Sequence, residues 1–522
     1  MGDHEGNDIT IQDFISEHTE EGSQIAQFYA GKSVFVTGST GFMGTVLLEK
    51  LLRSCPDVDK IYVLMRAKKG KSLEERLKAQ FEGPVFERLR LERPGFQLKV
   101  YPLEGDCSQP RLGLGEDSLQ KLKEVNVIFH VAATVRFDEK MRLATAINVQ
   151  SSIDLLDIAR TMQDLKAFVH VSTAYSYPQN KVIEEKFYEP DVSPQRLLNI
   201  VNNMDDAMLD AITPQLITSW PNTYAFTKAV GEAAVRQHSQ GLPVTMVRPS
   251  IVISTAQEPV AGWINNVYGP TGVVMGAGLG LLHVLHCDSD RIADMVPVDM
   301  AINNIVAAAW DVANARGVGE NKEVVDDADA EPPVLNFVAS VDQPITWGEF
   351  MALNARGVEI PSVRCVWYYE FRLVKRRFAY LWYMALLHLL PALIVDTGCR
   401  IVGKKPFLWD AYKKIHKFSQ VITYFCTNEW KFKNDNVHHL WDKMNPMDRK
   451  VFYFNLQNLR WEEYFRTYMR GLRVYLVNDP LDTLPQAKVK YAKLKIANYT
   501  LKWSVRILCV WLLLQLLRLL VL

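Results

Sequence analysis

The stretch NTYAFTKAVGE, residues 222–232, places a tyrosine and a lysine four positions apart. Residues at i and i+4 share one face of a helix, so Tyr224 and Lys228 would be neighbours there. Such a pair can deliver a proton to a carbonyl, because the ammonium group favours the phenolate and lowers a phenol pKa that is otherwise near ~10. Ordinary helices contain the same spacing, and other parts of the chain must distinguish the two interpretations.

Two hydroxyl groups precede this helix. The segment HVSTAYSY, residues 170–177, has the character of a strand with Ser172 and Thr173 at its end. Thr173, or less favourably Ser172, would polarise the same carbonyl by hydrogen bonding. Thr173, Tyr224 and Lys228 therefore form the predicted catalytic set.

A glycine-rich turn near the start of the chain predicts a nucleotide site. The turn TGSTGFMG (37–44) lies between an apolar strand, KSVFVTG (32–38), and a helical apolar repeat, GTVLLEKLLRSC (44–55). Glycines at this place allow a tight turn and bring pyrophosphate close to the helix N-terminus. The G-x-x-G-x-x-G spacing differs from the usual G-x-G-x-x-G. The predicted cofactor-binding residues of the turn are Thr37, Gly38, Thr40, Gly41, Phe42, Met43 and Gly44.

The second strand candidate, KIYVLMR (60–66), bears on the choice of cofactor. An NAD site usually places an acidic residue at this strand end, whereas an arginine suits the 2′-phosphate of NADPH. The residue here is Arg66, and three lysines follow at Lys68, Lys69 and Lys71. The sequence therefore favours NADPH, with a solvated basic loop as the alternative. Asp106 would contact the adenine, and Tyr224 and Lys228 would complete the cofactor site, with Lys228 on the nicotinamide ribose.

Strand-like and helical segments alternate over more than 200 residues, which predicts an α/β Rossmann-type doubly wound parallel sheet. The further strand candidates are FQLKVYPLEGD, NVIFHVAA, AFVHVSTAYSY and LPVTMVRPS. From about residue 345 the sequence becomes helical, aromatic and basic, which predicts a mainly helical C-terminal domain.

Composition excludes several classes of protein. The 522 residues include 59 Lys plus Arg and 59 Asp plus Glu, so charge gives no reason to expect nucleic acid. The seven cysteines are scattered without a CxxC motif, which indicates reduced thiols on the cytosolic side of a membrane. His283, His286 and Cys287 are attributed to ordinary packing, and no metal is expected.

The C-terminus is apolar. The run ILCVWLLLQLLRLLVL (507–522) follows a lysine-rich segment (487–503), which predicts a hydrophobic tail that anchors the protein on the cytosolic face of a membrane. A helix docked on the protein's own core is the alternative. The uncharged stretch 378–395 is assigned either to membrane contact or to core packing. The final residues LVL differ from a peroxisomal S-K-L signal, which favours the endoplasmic reticulum.

These features divide the chain into five predicted segments. They are an acidic flexible lead (1–28), an NADPH-binding reductase domain (29–345), a helical C-terminal domain (346–480), a basic linker (481–500) and a membrane-anchoring tail (501–522).

Several motifs together resemble a known family. TGSTGFMG, STA and YAFTK resemble the extended short-chain dehydrogenases/reductases (SDRs). More closely, the chain from about 30 to 480 resembles the eukaryotic fatty acyl-CoA reductases. The motifs that carry this resemblance are VFVTGSTGFMGTVLLEKLLRSCPDV, HVAATVRFDE, HVSTAYSY, NTYAFTKAVGE, VRPSIV, DMVPVDM, LHLLPALIVD and YMRGLRVYLVNDP.

The resemblance implies an activity and its residues. It implies reduction of a long-chain acyl-CoA by two NADPH, through an aldehyde, to a primary alcohol with release of CoA. For such a substrate, the stretch 378–395 is also a candidate acyl channel. It assigns the cofactor to Gly38, Gly41, Gly44, Arg66 and Asp106, and catalysis to Thr173, Tyr224 and Lys228. His388 and Asp396 also match the family pattern, without a mechanism.

Two other functions share part of this evidence. A membrane-associated SDR dehydrogenase or epimerase acting on a sterol or nucleotide sugar would share the Rossmann residues but not the helical C-terminal domain. A non-catalytic membrane scaffold that keeps NADPH bound would have no need of all three predicted catalytic residues. The sequence leaves homo-oligomerisation open.

Overall fold

A computed structural model describes residues 22–68, 70–317 and 331–521. The strands within these ranges are β1 (Ser33–Thr37), β2 (Lys60–Met65), β3 (Val100–Glu104), β4 (Val127–His130), β5 (Ala167–Val171), β6 (Val182–Ile183), β7 (Val244–Pro249), β8 (Ile251–Ile253), β9 (Val284–His286), β10 (Met295–Pro297), β11 (Val334–Phe337), β12 (Arg372–Val374) and β13 (Lys431–Phe432).

The α-helices of the same ranges are α1 (Gln24–Tyr29), α2 (Phe42–Ser54), α3 (Leu73–Phe81), α4 (Glu87–Glu92), α5 (Glu116–Leu122), α6 (Met141–Thr145), α7 (Ser151–Ala159), α8 (Pro194–Asn203), α9 (Asp206–Leu216), α10 (Thr223–His238), α11 (Pro270–Gly278), α12 (Val298–Gly317), α13 (Trp347–Ala355), α14 (Arg377–Met384), α15 (Leu390–Ile401), α16 (Leu408–Thr427), α17 (Asp435–Lys443), α18 (Pro446–Val451), α19 (Trp461–Gly471) and α20 (Leu484–Val521). Short π-helical segments, Ala146–Gln150, Ala385–Leu389 and Leu472–Leu476, adjoin some of them.

The main sheet is parallel and has the predicted doubly wound arrangement. Its strand order is β11, β7, β5, β4, β1, β2, β3. Val36 of β1 pairs with Val63 of β2 on one side and with Phe129 of β4 on the other. The order reverses between β1 and β4, and ligands of such sheets bind at the carboxyl ends of the strands beside this reversal. The six predicted strands of this sheet are confirmed, and β11 is an additional strand.

The described residues form two compact units. The first comprises the described residues within 22–260, 295–343 and 430–458, and the second comprises 261–294, 344–429 and 459–521. The first unit contains the main sheet. The second is mainly helical and includes the parallel pair β9 and β12. Each unit contains segments that are distant in sequence; in the first unit, for example, β13 pairs with β6. The two units therefore differ from the predicted domains, which were continuous segments with boundaries at residues 345 and 480.

The start of the described chain is ordered by helix α1, which corrects the predicted lead at residues 24–28. Ser23 caps α1, and its Oγ donates to Asp448 Oδ1 at 2.6 Å. Ile25 is buried, and Tyr29 donates its hydroxyl proton to Val306 O at 2.9 Å. Residues 1–21 lie outside the described residues, so the prediction for them is untested.

Two helical stretches are long and apolar enough to cross a membrane, Arg377–Ile401 and Leu481–Leu520. Both stretches are mostly exposed. This exposure disagrees with the two alternatives from the sequence, namely that 378–395 is a core helix and that the C-terminal helix is docked on the protein's own core. Residues 484–500, predicted as part of a linker, belong to the same helix, α20, as the apolar tail.

Candidate active site

The glycine turn between β1 and α2 is closely packed on one side and open on the other. Gly38 has φ +77°, and a Cβ there would lie 2.7 Å from Ala132 N. A Cβ on Gly44 would overlap Gly38 O. Thr40 and Gly41, in contrast, are exposed at the beginning of α2. This shape leaves the helix N-terminus accessible to a phosphate group and fits the predicted nucleotide site.

Thr37 and Ser39 face the interior of the same turn. The Thr37 hydroxyl hydrogen-bonds His130 Nδ1 at 2.8 Å and accepts from Ala132 N at 3.3 Å. The side chain of Thr37 is therefore engaged within the protein, where it joins β1 to the end of β4. Phe42 and Met43 are half-buried in the first turn of α2.

Arg66 and Asp106 follow the adjacent strands β2 and β3. Arg66 is exposed, and its carbonyl accepts a hydrogen bond from the Arg76 guanidinium. Asp106 Oδ1 accepts from Ser108 N at 2.9 Å, which orders the loop after β3. Lys68 and Lys71 are exposed as well, whereas Lys69 lies outside the described residues. The structure thus places exposed cationic groups after β2, as the sequence predicts.

The end of β5 and the first two turns of α10 bring Thr173, Tyr224 and Lys228 together. Asn222 caps α10, and its side chain accepts from Ala225 N at 2.8 Å. The Tyr224 and Thr173 side chains are hydrogen-bonded. Lys228 Nζ donates to Val171 O at 2.7 Å, which attaches the lysine to the last residue of β5.

Burial controls the protonation of this pair. Tyr224 is partly exposed, yet desolvation raises the pKa of its phenol to about 12 against the opposing hydrogen bond from Thr173. Desolvation also lowers the pKa of Lys228 to about 8. The Tyr224 pKa is thus raised overall, not lowered as predicted, because desolvation of the phenol dominates while Lys228 Nζ is bonded to Val171 O. A phenol that stays protonated at neutral pH remains suited to donate a proton.

Unlike Thr173, Ser172 hydrogen-bonds a buried carboxylate and not Tyr224. Its Oγ donates to Glu232 Oε1 at 2.5 Å. Glu232 also pairs with Arg248, at 2.7 Å between Oε2 and Nη2, and both side chains are fully buried. The sequence analysis missed this pair, although an arginine inside the apolar strand LPVTMVRPS is a signal of a buried partner.

Comparison with known proteins agrees with this geometry. Two family models described as male sterility protein match the chain, an NAD-binding model over residues 36–305 and a model called Sterile over 387–479. Fatty acyl-CoA reductase wat of Drosophila melanogaster is 40% identical over 507 residues, 97% of this chain and 95% of that one. Fatty acyl-CoA reductase 1 of Homo sapiens is 36% identical over 489 residues, 93% of this chain and 92% of that one.

The chain belongs to the fatty acyl-CoA reductase family. It is therefore an oxidoreductase that uses a nicotinamide cofactor, and the resemblance seen in its motifs is confirmed.

Two solved structures share the fold of this fatty acyl-CoA reductase. The reductase domain of a nonribosomal peptide synthetase from Mycobacterium tuberculosis has a TM-score of 0.55 and 18% identity, and covers 88% of this chain and 97% of its own. The terminal R domain of the myxalamid pathway has a TM-score of 0.52 and 19% identity, and covers 85% and 91%.

Asn148 is a further residue of the reductase site that the sequence analysis missed. It lies in the π-helical segment Ala146–Gln150, and its Nδ2 donates to Thr227 Oγ1 of α10 at 2.9 Å. Its Oδ1 accepts from Thr134 N at 3.0 Å. A Cβ on Gly231 would overlap Asn148 O, so the glycine allows α10 to approach this segment. Asn148 thereby positions the helix that carries Tyr224.

The structure gives His388 and Asp396 structural roles in the second unit. His388 Nε2 accepts from His283 N at 3.0 Å, and its Nδ1 lies 3.0 Å from His416 Nε2. Asp396 caps α16 by accepting from the backbone N–H groups of three residues: Phe407, Leu408 and Trp409.

No metal centre is present among the described residues, since no group of three or more His, Cys, Asp or Glu side chains is placed to hold an ion. His283 directly precedes strand β9, and His286 is the last residue of that strand. His283 Nδ1 hydrogen-bonds Glu370 O at 3.0 Å, and His286 Nε2 hydrogen-bonds Lys375 O at 3.1 Å.

Proposed function

We propose that this reductase converts a long-chain acyl-CoA, through an aldehyde, to a primary alcohol with release of CoA. The observation that carries the proposal is the hydrogen-bonded pair of Tyr224 and Thr173, with Lys228 one turn further along α10, in a chain of this family. Two hydroxyl groups that converge at a strand end can both donate to one carbonyl oxygen. NADPH, when bound, supplies the hydride of each of the two reductions.

The residues of the chain manage the carbonyl oxygen and the proton. In the first reduction the carbon–sulfur bond of the thioester breaks, and the CoA thiolate leaves and takes up a proton. In the second, the aldehyde oxygen becomes an alkoxide that takes the phenolic proton of Tyr224. Thr173 donates a hydrogen bond to the same oxygen. The ammonium group of Lys228 stabilises the phenolate left on Tyr224 until it is reprotonated.

The preference for NADPH rests on the end of β2. Arg66 is exposed there, where an acidic residue would favour NADH, and Lys68 and Lys71 add positive charge. Arg66→Ala is expected to weaken NADPH binding roughly tenfold or more, because it removes a charge-assisted hydrogen bond to the 2′-phosphate. NADH binding should stay unchanged in this variant. An equal loss for both cofactors would contradict the assignment of Arg66.

Helix α20 supports attachment to a membrane. Its residues 501–520 are mostly exposed and mostly apolar, and lysines precede them along the helix. We place the protein on the cytosolic face of the endoplasmic reticulum, with the apolar part of α20, from residue 501, in the lipid. Deletion of residues 501–522 should release the chain into the soluble fraction. Retention of the truncated chain on membranes would show that α20 is not the sole anchor.

The activity can be tested on membranes that contain the full chain. Incubation with palmitoyl-CoA should consume NADPH and yield hexadecan-1-ol and free CoA, identified by mass. Tyr224→Phe should lower the rate by about 10²–10⁴-fold, the range for loss of a general acid. Tyr101→Phe, at an exposed tyrosine of β3, is the matched control and should leave the rate unchanged. Full alcohol production by Tyr224→Phe would reject the proposed proton donor, and the absence of NADPH consumption by folded wild-type protein would reject the reaction.

A further inference from the structure

The helical stretch Arg377–Ile401, made of α14, a π-helical segment and α15, has an apolar side that points away from the protein. Side chains four residues apart share one side of a helix, and this spacing connects the exposed residues. They are here called the apolar face: Phe378, Trp382, Leu386, Leu390 and Ile394. Phe378 is 82% exposed and Trp382 is 60% exposed. Exposed apolar surface of this extent marks an interaction site.

The opposite side of the stretch is docked on the second unit. The ring of Tyr380 stacks on His286 of β9, with ring centroids 5.6 Å apart. His388 stacks on Tyr412 of α16 at 4.7 Å, and Asp396 accepts the backbone N–H groups that begin α16. These contacts hold one side of the stretch against the protein, so that only the apolar face is open to a partner.

Helix α16 excludes a transmembrane arrangement of this stretch. It packs against α15 and exposes Lys413 and Lys414. Lysine side chains are costly at the centre of a bilayer, so α15 and α16 do not cross it as a pair. A helix that is docked on one side and apolar on the other is suited to lie along a membrane surface.

Positive charge surrounds the apolar face. Residues 375–417 contain nine lysines and arginines against two aspartates. Arg376 and Arg377 at one end of the face, and Lys404 and Lys405 beyond the other, are all exposed. Basic residues beside an apolar surface attract anionic lipid headgroups. A second copy of the chain, docked through the same patch, would instead bring like charges together.

The apolar face is connected to the start of the proposed membrane tail. Lys502 Nζ of α20 lies 2.6 Å from Glu370 Oε2, and Glu370 Oε1 also pairs with Arg372 at 3.2 Å. The Arg372 guanidinium lies 4.7 Å from the centre of the Tyr383 ring in α14. Only two residues therefore separate α14 from the point where α20 becomes apolar, and a membrane that the tail enters is close to α14.

We propose that the apolar face lies in the headgroup region of an anionic phospholipid bilayer, as a second membrane contact along the surface. This inference rests on the proposed attachment through the tail. One spanning helix alone leaves the rest of the chain able to rotate about it, whereas two contacts fix which side of the second unit faces the lipid. The second contact is shallow, so the tail remains the anchor and its deletion is still expected to release the chain.

Photocrosslinking of the full chain in nanodiscs tests the contact. The crosslinking residue p-benzoylphenylalanine replaces Trp382 in one variant and Tyr101, an exposed tyrosine of β3, in the control. In nanodiscs that contain phosphatidylserine, position 382 should form phospholipid adducts, identified by mass, and position 101 should not. With phosphatidylcholine alone, the yield at 382 should fall about fivefold or more, the factor for loss of one Lys or Arg contact. Equal yields at the two positions, a yield independent of phosphatidylserine, or adducts between two copies of the chain would overturn the proposal.

Two pairs of variants separate the apolar part of the contact from the basic part. Leu393→Glu places a charge on the exposed side of α15 and should lower the adduct yield at position 382, whereas Leu98→Glu, at an exposed leucine of the first unit, should not. Lys405→Glu should lower the yield about fivefold or more, whereas Lys121→Glu of α5 should leave it unchanged. An unchanged yield in folded Leu393→Glu or in Lys405→Glu would refute the contact.

Amine labelling shows whether the stretch crosses the bilayer. In sealed vesicles with the reductase unit outside, at high ionic strength, an impermeant amine reagent should modify Lys405 as fully as Lys121, since both are exposed on the same side. Protection of Lys405 alone would show a crossing helix and refute the surface contact.

Folding and anchoring are controlled separately. Thermal unfolding monitored by circular dichroism identifies any variant that fails to fold, and Lys405→Glu decides the matter if Leu393→Glu does. If the full chain resists carbonate washing but position 382 gives no lipid adduct, the apolar face fails and the tail stands. Lipid adducts at position 382 in a chain that carbonate releases would refute the tail as anchor and leave the apolar face in place.

Discussion

Helices α10 and α20 depart from the usual burial pattern in opposite directions. Helix α10 buries Lys228 and Glu232, whereas α20 exposes Leu513 and Leu519 at 56% and 74%. The buried charges of α10 have partners, Val171 O for Lys228 and Arg248 for Glu232. The exposed leucines of α20 call for an apolar environment such as lipid. In both helices, residues to which we assign function are among those that depart from the pattern: Lys228 in α10 and the apolar tail in α20.

The largest expected effect comes from breaking the buried charge pair between Glu232 of α10 and Arg248 of β7. Glu232→Gln leaves the Arg248 guanidinium buried without a counter-charge and should lower the free energy of unfolding by about 3–5 kcal/mol. Thermal or denaturant unfolding of the full chain measures this loss. Glu116→Gln is the matched control, since its pair with Arg111 is exposed and should contribute about 0–1 kcal/mol. Equal decreases in the free energy of unfolding of the two variants would contradict the expectation that a buried charge pair matters more for stability than an exposed one.

The corresponding change in α20 introduces a charge instead of removing one. Leu513→Lys should disfavour insertion of the tail by about 2.5–3.5 kcal/mol, the cost of a lysine at the centre of a membrane helix. The fraction of protein that sediments with membranes after carbonate washing measures this effect. Leu513→Ile should sediment as wild type does. If Leu513→Lys also remains fully membrane-bound, the tail does not lie in the lipid.

The protonation of Lys228 gives a smaller, pH-dependent effect. Burial lowers its pKa to about 8, so the cation that should assist Tyr224 is lost as pH rises through this value. We expect kcat/KM to be steady below about pH 8 and to fall about tenfold per pH unit above it. Lys228→Arg keeps its charge at these pH values, so any activity that it retains should not decline there. A wild-type profile that stays level to pH 10 would contradict the role of the ammonium group.

The smallest effect concerns the first turn of α10. Asn222→Ala removes the side chain that accepts from Ala225 N and should lower the free energy of unfolding by about 1 kcal/mol. Tyr224 lies in the same turn, so kcat should fall as well. Asn222→Ser, which can cap the helix, should retain most of both quantities. If serine is as damaging as alanine, the cap is not what holds the turn.

Most strands of the main sheet could be predicted because they are buried along most of their length, whereas in β3 only Val100 and Leu103 are buried. Strands β1, β4 and β5 are buried at every position, and such strands are short apolar runs in the sequence. Strand β11 has only four residues, with the polar Asn336 among them, and such a segment is too short for its periodicity to be tested. Asn336 is buried because its Nδ2 donates to Lys433 O, a group 97 positions away along the chain.

The sequence by itself determined the order of strand, glycine turn and helix, and the spacing that places Tyr224 and Lys228 on one face of a helix. These are local properties, set by burial periodicity and by residues one helical turn apart. Only the tertiary structure decided that Lys228 Nζ donates to Val171 O and that Glu232 accepts a hydrogen bond from the hydroxyl of Ser172. Hydrogen bonds and desolvation depend on which distant residues surround a group, and a spacing pattern along one chain does not contain that information.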